Sequence, residues 1–503
     1  MKRRIPATMA TQHPDNARGP FWEREDGFVS AREEPEECVV CLRDLGVREF
    51  MWDWEGKYAD EAVIDRLFSN HYAYFKKNKL GRDTFLTFRL PNVWKEKGYS
   101  LIRALMVILT SEDFAHDLSF GSRPLFEVIL PMTERAGQLM YIQKSFRELA
   151  RFKSKVFKHR RNNNQDYLEL IPLVEGVEDQ RRIRALLAEY VALHKKNFGR
   201  KPAYLRPFLA RSDPALISGF VPNVLANKIA LSEIYRFGKE AGVPVYPIIG
   251  SGSLVFRGGL SPRRCKKFAK EYAGVRTVTI QSGFRYDHPL PEVRRAIRYL
   301  ESRLPGGKAQ DVERGDRARL ARVIRVFSKT YQAAVAALLP DLQPLFEAVP
   351  KRRERRQHIG LLAYRRQMGR HSLPRAINFA AACYSLGAPP EFIGLGRSLA
   401  ALETRELDVL KKYYRYLKED IVEAGRYINR ENLKALSKKN VAWGALLEDI
   451  ERAEEILGVR FGPKRKRELL HASLSSQLFL LRRNKAEVSR LIAETGKLRG
   501  SLG

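Results

Sequence analysis

The stretch "YLELIPLVEGVEDQRRIRALLAEYVALHKKN", residues 167–197, has the form of one strand followed by one helix. Its first nine residues are an apolar run ending on Glu175, as expected of a buried strand in a parallel sheet. Gly176 breaks the run, and behind it apolar residues recur at helical spacing. The same alternation fills the first part of the chain. Further β-branched-rich runs lie at residues 4–12 (RIPATMATQ), 47–55 (VREFMWDWE), 84–90 (TFLTFRL) and 125–132 (LFEVILPM). Three more follow at 204–212 (YLRPFLARS), 244–252 (PVYPIIGSG) and 276–283 (RTVTIQSG). Helical segments such as residues 60–78 (DEAVIDRLFSNHYAYFKKN) separate several of them. Eight strands alternating with helices predict an α/β fold, a (β/α)8 TIM-type barrel with extensive additional α-helices. The first connection is long, which predicts an excursion between strands one and two.

Beyond residue 290 the strand signal stops and helical periodicity takes over, as in "RARLARVIRVFSKTYQAAVAALL" at residues 317–339. The expected organisation is therefore a catalytic barrel over residues 1–290 and a mainly α-helical lobe, packed on it, over 291–503. A chain of 503 residues with 44% hydrophobic and 10% aromatic residues has ample material for so large a core. No apolar run reaches the eighteen or so residues that a membrane span requires. Four cysteines do not make a disulfide framework in a chain of this length, so a cytoplasmic setting is expected. The pair in "CVVC" (residues 38–41) has no second pair or histidines near it, which argues against zinc.

Charge narrows the partners. Lys plus Arg number 91 against 58 Asp plus Glu, a formal +33 that attracts anions, either nucleic acid or small anions in a cleft. The basic clusters "KHRR" (158–161), "KRRERR" (351–356) and "GPKRKREL" (462–469) lack any zinc-finger, RNA-recognition or basic-zipper context. They read as solvated faces or intersubunit contacts in preference to a nucleic-acid interface.

In such a barrel the reactive groups gather where strands end. Strand one ends in His13, strand two in Asp53, Glu55 and Lys57, and strand three in Arg89. Strand five ends in Glu175, strand six in Arg211 and Asp213, strand seven in the loop "GSGSLVFRGG" (250–259), and strand eight in Gln281 and Arg285. Carboxylates without a Cys or His cluster suit a hard cation such as Mg2+. Arginines offer bidentate contacts to phosphate and carboxylate, and a glycine loop lets phosphate approach backbone amides. A single histidine then fits as a proton carrier. Together these groups describe a site for a phosphorylated carboxylic acid.

The segment "MATQHPDNA" (9–17), with "LARSDPAL", "VLANKIALS", "FRGGLSP", "TIQSGFRYD", "PPEFIGLGR" and the final "GKLRGSLG", resembles archaeal-type phosphoenolpyruvate carboxylase. That resemblance implies carboxylation of phosphoenolpyruvate by bicarbonate to oxaloacetate and phosphate. It implies carboxyphosphate and an enolate as intermediates, Mg2+ (with Mn2+ as the other candidate), and a homotetramer. By similarity to the longer enzymes of this kind, "TQHPDN" makes His13 catalytic, "PLVE" and "RSDP" make Glu175 and Asp213 metal ligands, and the Arg-Gly-Gly loop makes Arg257 catalytic. Arg89, Arg276 and Arg285 would bind substrate. The longer enzymes have a second Arg-Gly-Gly unit and a lysine beyond the metal aspartate, where this chain has Ile249-Gly250-Ser251 and, near the lysine, Leu216. Arg211, Arg206 or Lys57 would compensate. The rival classes are another Mg-dependent barrel enzyme acting on phosphoenolpyruvate or an enolate, and a basic nucleic-acid-binding protein.

Overall fold

The structure, a computed structural model, describes residues 4–23, 27–55, 59–96, 99–157, 166–354 and 366–503. Eight parallel strands close into a barrel in sequence order: β1 (Thr8–Thr11), β2 (Glu49–Asp53), β3 (Phe85–Arg89), β4 (Glu127–Leu130), β5 (Glu169–Val174), β6 (Phe208–Leu209), β7 (Ile248–Ile249) and β8 (Thr277–Ile280). Closure comes from β8 pairing with β1, in the register Thr8↔Val278 and Ala10↔Ile280. Each strand falls within one of the eight apolar runs read from the sequence. The first connection carries the expected excursion, a helix over Glu34–Val39 that continues into a π-helical turn over Val40–Asp44.

Because side chains alternate across a strand, every second residue points into the barrel. The inward residues stack in three layers. At the amino end Arg206 donates to Glu49 (3.0 and 2.7 Å), to Glu127 and to the Thr277 hydroxyl (3.1 Å). Above it lies an apolar layer of Met9, Met51, Ile129, Ile171, Leu173, Phe208 and Ile248. The carboxyl end is polar again and forms the mouth.

Downstream of β8 the chain is mainly helical, with the 35-residue helix Arg314–Ala348 as its longest element. One feature differs from the sequence reading: an antiparallel hairpin of β9 (Arg366–Met368) and β10 (His371–Leu373). Three residues per strand are too few to leave an alternating pattern. The segment beyond residue 290 reaches the barrel mouth. Leu502 donates its N–H to the Asp15 carbonyl at 2.7 Å, and residues 349–354, Arg366 and residues 375–378 line the cavity there.

Arg206 and both its carboxylates are buried, at 0–2% side-chain exposure. Removing the cation strands two carboxylates out of water. Arg206→Met is therefore expected to cost about 3–5 kcal/mol of stability, read as a lowered midpoint of thermal unfolding. A midpoint unchanged from wild type would show that the ion cluster contributes nothing.

Candidate functional site

A cavity of about 790 Å³ opens at the carboxyl end of the barrel. Its walls include His13, Glu55, Arg89, Glu175, Arg211, Asp213 and Arg257 from the strand ends.

His13 follows β1 by two residues and is half-buried, its Nδ1 lying 3.0 Å from the Thr11 hydroxyl. The loop behind it is fastened to the end of β8. Ser282 Oγ donates to the His13 carbonyl at 2.7 Å, and the Gly283 N–H to Asp15 Oδ1 at 2.7 Å. The Ala17 and Arg18 amides donate to Asp287. Burial pushes the Asp287 carboxyl up to about 7, against the pull of those two amides.

Arg257 ends a 3-10 turn over Val255–Arg257 and is fully buried. Its guanidinium donates to Asp15 Oδ2 (3.0 Å), Gln281 Oε1 (2.7 Å), the Gly503 carbonyl (2.7 Å) and Ser212 Oγ (3.1 Å). The turn depends on Gly258, at φ +122°, where an added Cβ would lie 2.1 Å from Ser251 Oγ. Phe256 is held from the other side, its N–H donating to Glu391 Oε1 at 2.7 Å.

The carboxylates converge. Glu175 immediately follows β5, and Asp213 lies in the first turn of the helix Ser212–Ser218 that follows β6. Burial raises the Glu175 pKa well above the usual carboxylate range, and the charges of Asp213 and Glu55 raise it further, against Arg366 and Arg89. Burial likewise raises Glu55, against Arg89. Arg89 binds Asp53 through Nε and Nη2 (2.9 and 2.6 Å) and reaches Glu55 through Nη1 (2.8 Å). Arg366, on β9, pairs with Asp213.

The residues expected from sequence divide cleanly. His13, Arg89, Glu175, Arg211, Asp213 and Arg257 share the cavity. Arg206 does not reach it: it precedes β6 and closes the opposite end of the barrel. Arg276 precedes β8, and its Nη1 donates to the carbonyls of Leu304, Pro305 and Gly307. Both arginines stand at strand starts, so their side chains belong to the face opposite the mouth. Arg285 lies beneath the mouth, fully buried, donating to the carbonyls of Thr11 (2.9 Å) and Ile280 (2.7 Å) and to Glu37 (2.8 Å). It ties β1 to β8 instead of facing the cavity. Lys57 lies outside the described residues.

Sequence reasoning missed the cations supplied from beyond residue 290, namely Lys351, Arg352, Arg353, Arg366 and Arg375. Part of the "KRRERR" cluster is thus neither a solvated face nor an intersubunit contact. Arg352 lines the cavity, and Arg353 is buried against Glu34 and Glu37. The "KHRR" cluster lies outside the described residues.

The profile of the phosphoenolpyruvate carboxylase family matches residues 5–503. A protein of Leuconostoc mesenteroides subsp. mesenteroides named phosphoenolpyruvate carboxylase is 45% identical over 503 residues, covering 100% of this chain and 99% of its own. One of that name from Oenococcus oeni is 45% identical over 479 residues, 95% of this chain and 94% of its own. Another, from Metallosphaera sedula, is 36% identical over 528 residues and covers all of both chains. Matches of this extent, reached from a cavity that gathers carboxylates, arginines and one histidine at the mouth of a closed barrel, leave one conclusion: the chain belongs to the phosphoenolpyruvate carboxylase family.

Proposed function

We propose that this protein carboxylates phosphoenolpyruvate with bicarbonate to give oxaloacetate and phosphate, in the cavity at the barrel mouth. The observation that carries the reading is the meeting in that cavity of two adjacent carboxylates, one histidine and arginines from several strand ends. Phosphoenolpyruvate and bicarbonate bring phosphate and carboxylate-type groups, for which guanidinium forks are the matching donors.

A divalent cation fits the donor set. Glu175 and Asp213 are hard oxygen ligands whose charges oppose each other, and Mg2+ or Mn2+ is held by one or two carboxylates with water and substrate oxygens completing its sphere. No group of three or more His, Cys, Asp or Glu suited to a metal occurs among the described residues, so water and substrate oxygens would have to complete the sphere around Glu175 and Asp213. When bound, the cation supplies positive charge where the enolate develops.

The chain's own residues do the rest. Arg257, held by Asp15 and Gln281, keeps its guanidinium at the cavity wall to receive phosphate, and transfer to bicarbonate then depends on positioning and charge neutralisation. Arg89 and Arg211 hold the remaining anionic groups. Arg211 is 2% exposed; its Nη1 donates to Asn227 Oδ1 at 3.3 Å, its guanidinium lies 5.4 Å from the Tyr272 ring centre, and no carboxylate among the described residues pairs with it, so an anion in the cavity is its natural counter-charge. His13 assists the breakdown of carboxyphosphate to CO2 and phosphate, and the enolate then captures CO2. Arg285 acts at one remove, by holding the ends of β1 and β8 in register under His13.

In the same reading the enzyme is cytoplasmic, as its four free, buried cysteines suit, and assembles as a homotetramer. None of the described helices is long and apolar enough to cross a membrane.

A coupled assay with phosphoenolpyruvate, bicarbonate and Mg2+ should give oxaloacetate and phosphate in equal amounts, both dependent on bicarbonate. Phosphate release that ignores bicarbonate would instead indicate another phosphoenolpyruvate-cleaving barrel enzyme. His13→Asn should abolish oxaloacetate formation while some phosphoenolpyruvate hydrolysis persists; normal carboxylation by this variant would remove His13 from the chemistry. Glu175→Gln and Asp213→Asn should each weaken cation binding by roughly 10- to 100-fold, measured by titrating Mn2+ into the protein without substrate. Unaltered Mn2+ affinity would rule out both ligands.

A further inference from the structure

The segment VLANKIALS, residues 224–232, has no part in the reaction as described so far. It lies in the helix Phe220–Ala241, where Asn223 and Asn227 stand one turn apart on the same face. Both are fully buried, and so is Gln180 of the helix Val177–Arg181 that follows β5. Three neutral amides out of water are destabilising unless each finds partners, and the partners here are specific. Gln180 Nε2 donates to the carbonyls of Val174 (3.1 Å) and Ala210 (2.9 Å), and its Oε1 accepts from Asn227 Nδ2 at 2.7 Å. Asn223 Nδ2 also donates to the Ala210 carbonyl, at 3.2 Å. Val174 and Ala210 immediately precede Glu175 and Arg211. The amides therefore clamp the ends of β5 and β6 at the two points from which cavity side chains spring.

The network ends on Arg211. With Nδ2 committed to Gln180, Asn227 turns Oδ1 to Arg211 Nη1 and accepts from it at 3.3 Å. The Tyr272 ring gives a second support, its centre 5.4 Å from the Arg211 guanidinium. Lys228, the next residue after Asn227, stands 5.1 Å from the same ring centre. Its ammonium pairs with the Glu271 carboxylate and donates to the Glu271 carbonyl, so Glu271 neutralises Lys228 and not Arg211. Arg211 is thus steadied by an amide oxygen and an aromatic ring, both uncharged. Arg89, Arg257 and Arg366 differ, each being held by a carboxylate. A guanidinium fixed by neutral groups keeps both its direction and its charge for an incoming anion.

We propose that Asn227 is a positioning residue for Arg211. Oriented by Gln180, it aims the guanidinium into the cavity and, being uncharged, leaves that cation to the oxyanion of a reactant. The inference rests on the reaction and the role of Arg211 assigned above, and adds to them the device that keeps the charge available.

The test compares Asn227→Ala and Asn227→Asp, each alone and combined with Arg211→Gln, and Arg211→Gln by itself. Steady-state kinetics vary phosphoenolpyruvate and bicarbonate in turn, and phosphoenolpyruvate is titrated calorimetrically into each protein with Mn2+ present and bicarbonate absent. Both substitutions at 227 remove the donor to Gln180. Alanine also removes the acceptor, whereas aspartate keeps it and adds a charge that captures Arg211. One KM should rise by about 3- to 10-fold in Asn227→Ala and by about 10- to 100-fold in Asn227→Asp, with kcat changing less. The excess effect of aspartate should vanish once Arg211 is glutamine. A parallel loss of calorimetric affinity would assign the anion at Arg211 to phosphoenolpyruvate, and intact affinity to bicarbonate.

KM values and affinity within about twofold of wild type in both single variants would overturn the proposal. So would an aspartate effect of equal size with and without Arg211, which marks damage to the fold. If Asn227→Asp does not fold, the alanine cycle decides, and simple additivity with Arg211→Gln overturns the proposal. Silent variants at 227 beside an impaired Arg211→Gln would overturn the proposal alone; a silent Arg211→Gln would also remove Arg211 from substrate binding. Wild-type protein that binds phosphoenolpyruvate without turnover would sink the reaction assignment only, the calorimetric cycle still deciding for Asn227, and absence of binding would sink both.

Discussion

Glu175, Asp213 and Glu55 meet at the wall of the cavity, and the repulsion among them is the constraint around which the mouth of the barrel is built. Carboxylates that close either take up protons or recruit cations. The burial-driven rise at Glu175 and Glu55 records the first response. The arginines record the second: Arg89 crosses from β3 to hold Asp53 and Glu55, and Arg366 comes from the hairpin to hold Asp213. A site arranged this way gains from any further positive charge, and that gain is what a divalent ion offers. The same crowding explains the supporting tier beneath. Glu37 receives Arg285, Arg353 and the Tyr286 hydroxyl together, so the elements that carry His13 are fixed by charge as well as by the sheet.

The mouth is assembled from two parts of the chain that the sequence separates by hundreds of residues. Strand ends supply the histidine, the carboxylates and Arg257. The helical segment supplies Arg352, Arg366 and Arg375, and it steadies Phe256 through Glu391. Burial moves that glutamate up to about 7, with the Tyr384 hydroxyl and the Phe256 amide pulling the other way. A loop that presents a buried arginine is thereby braced from outside the barrel.

Much of this was legible from the residues. Eight apolar runs located eight strands, and the rule that barrel chemistry gathers at strand ends named His13, Arg89, Glu175, Arg211, Asp213 and Arg257, which line one cavity. What failed has a geometric cause. The run YLRPFLARS holds an arginine near each end, while the strand proper is only Phe208–Leu209. Arg206 and Arg211 therefore lie on opposite ends of the barrel although five positions apart. Arg276 was misplaced the same way, at the start of β8. Arg352 reads only as part of a basic cluster, whose charge says nothing of where it points; Arg366 sits on a hairpin too short for periodicity, and Arg375 at a helix start without a capping signature.

The three stacked layers of the barrel have a consequence for how the protein can change. Glu49 and Asp53 lie on one strand, four residues apart, so the ionic cluster at the floor and the one at the rim are separated by about 13 Å, with methionine, isoleucine and phenylalanine side chains between them. Groups that far apart and sharing no partner act almost additively. Selection, or an engineer, can therefore exchange the floor cluster for plain hydrocarbon and alter heat tolerance while the rim keeps its own electrostatics. Thermal adaptation and substrate preference are in this fold separate inheritances.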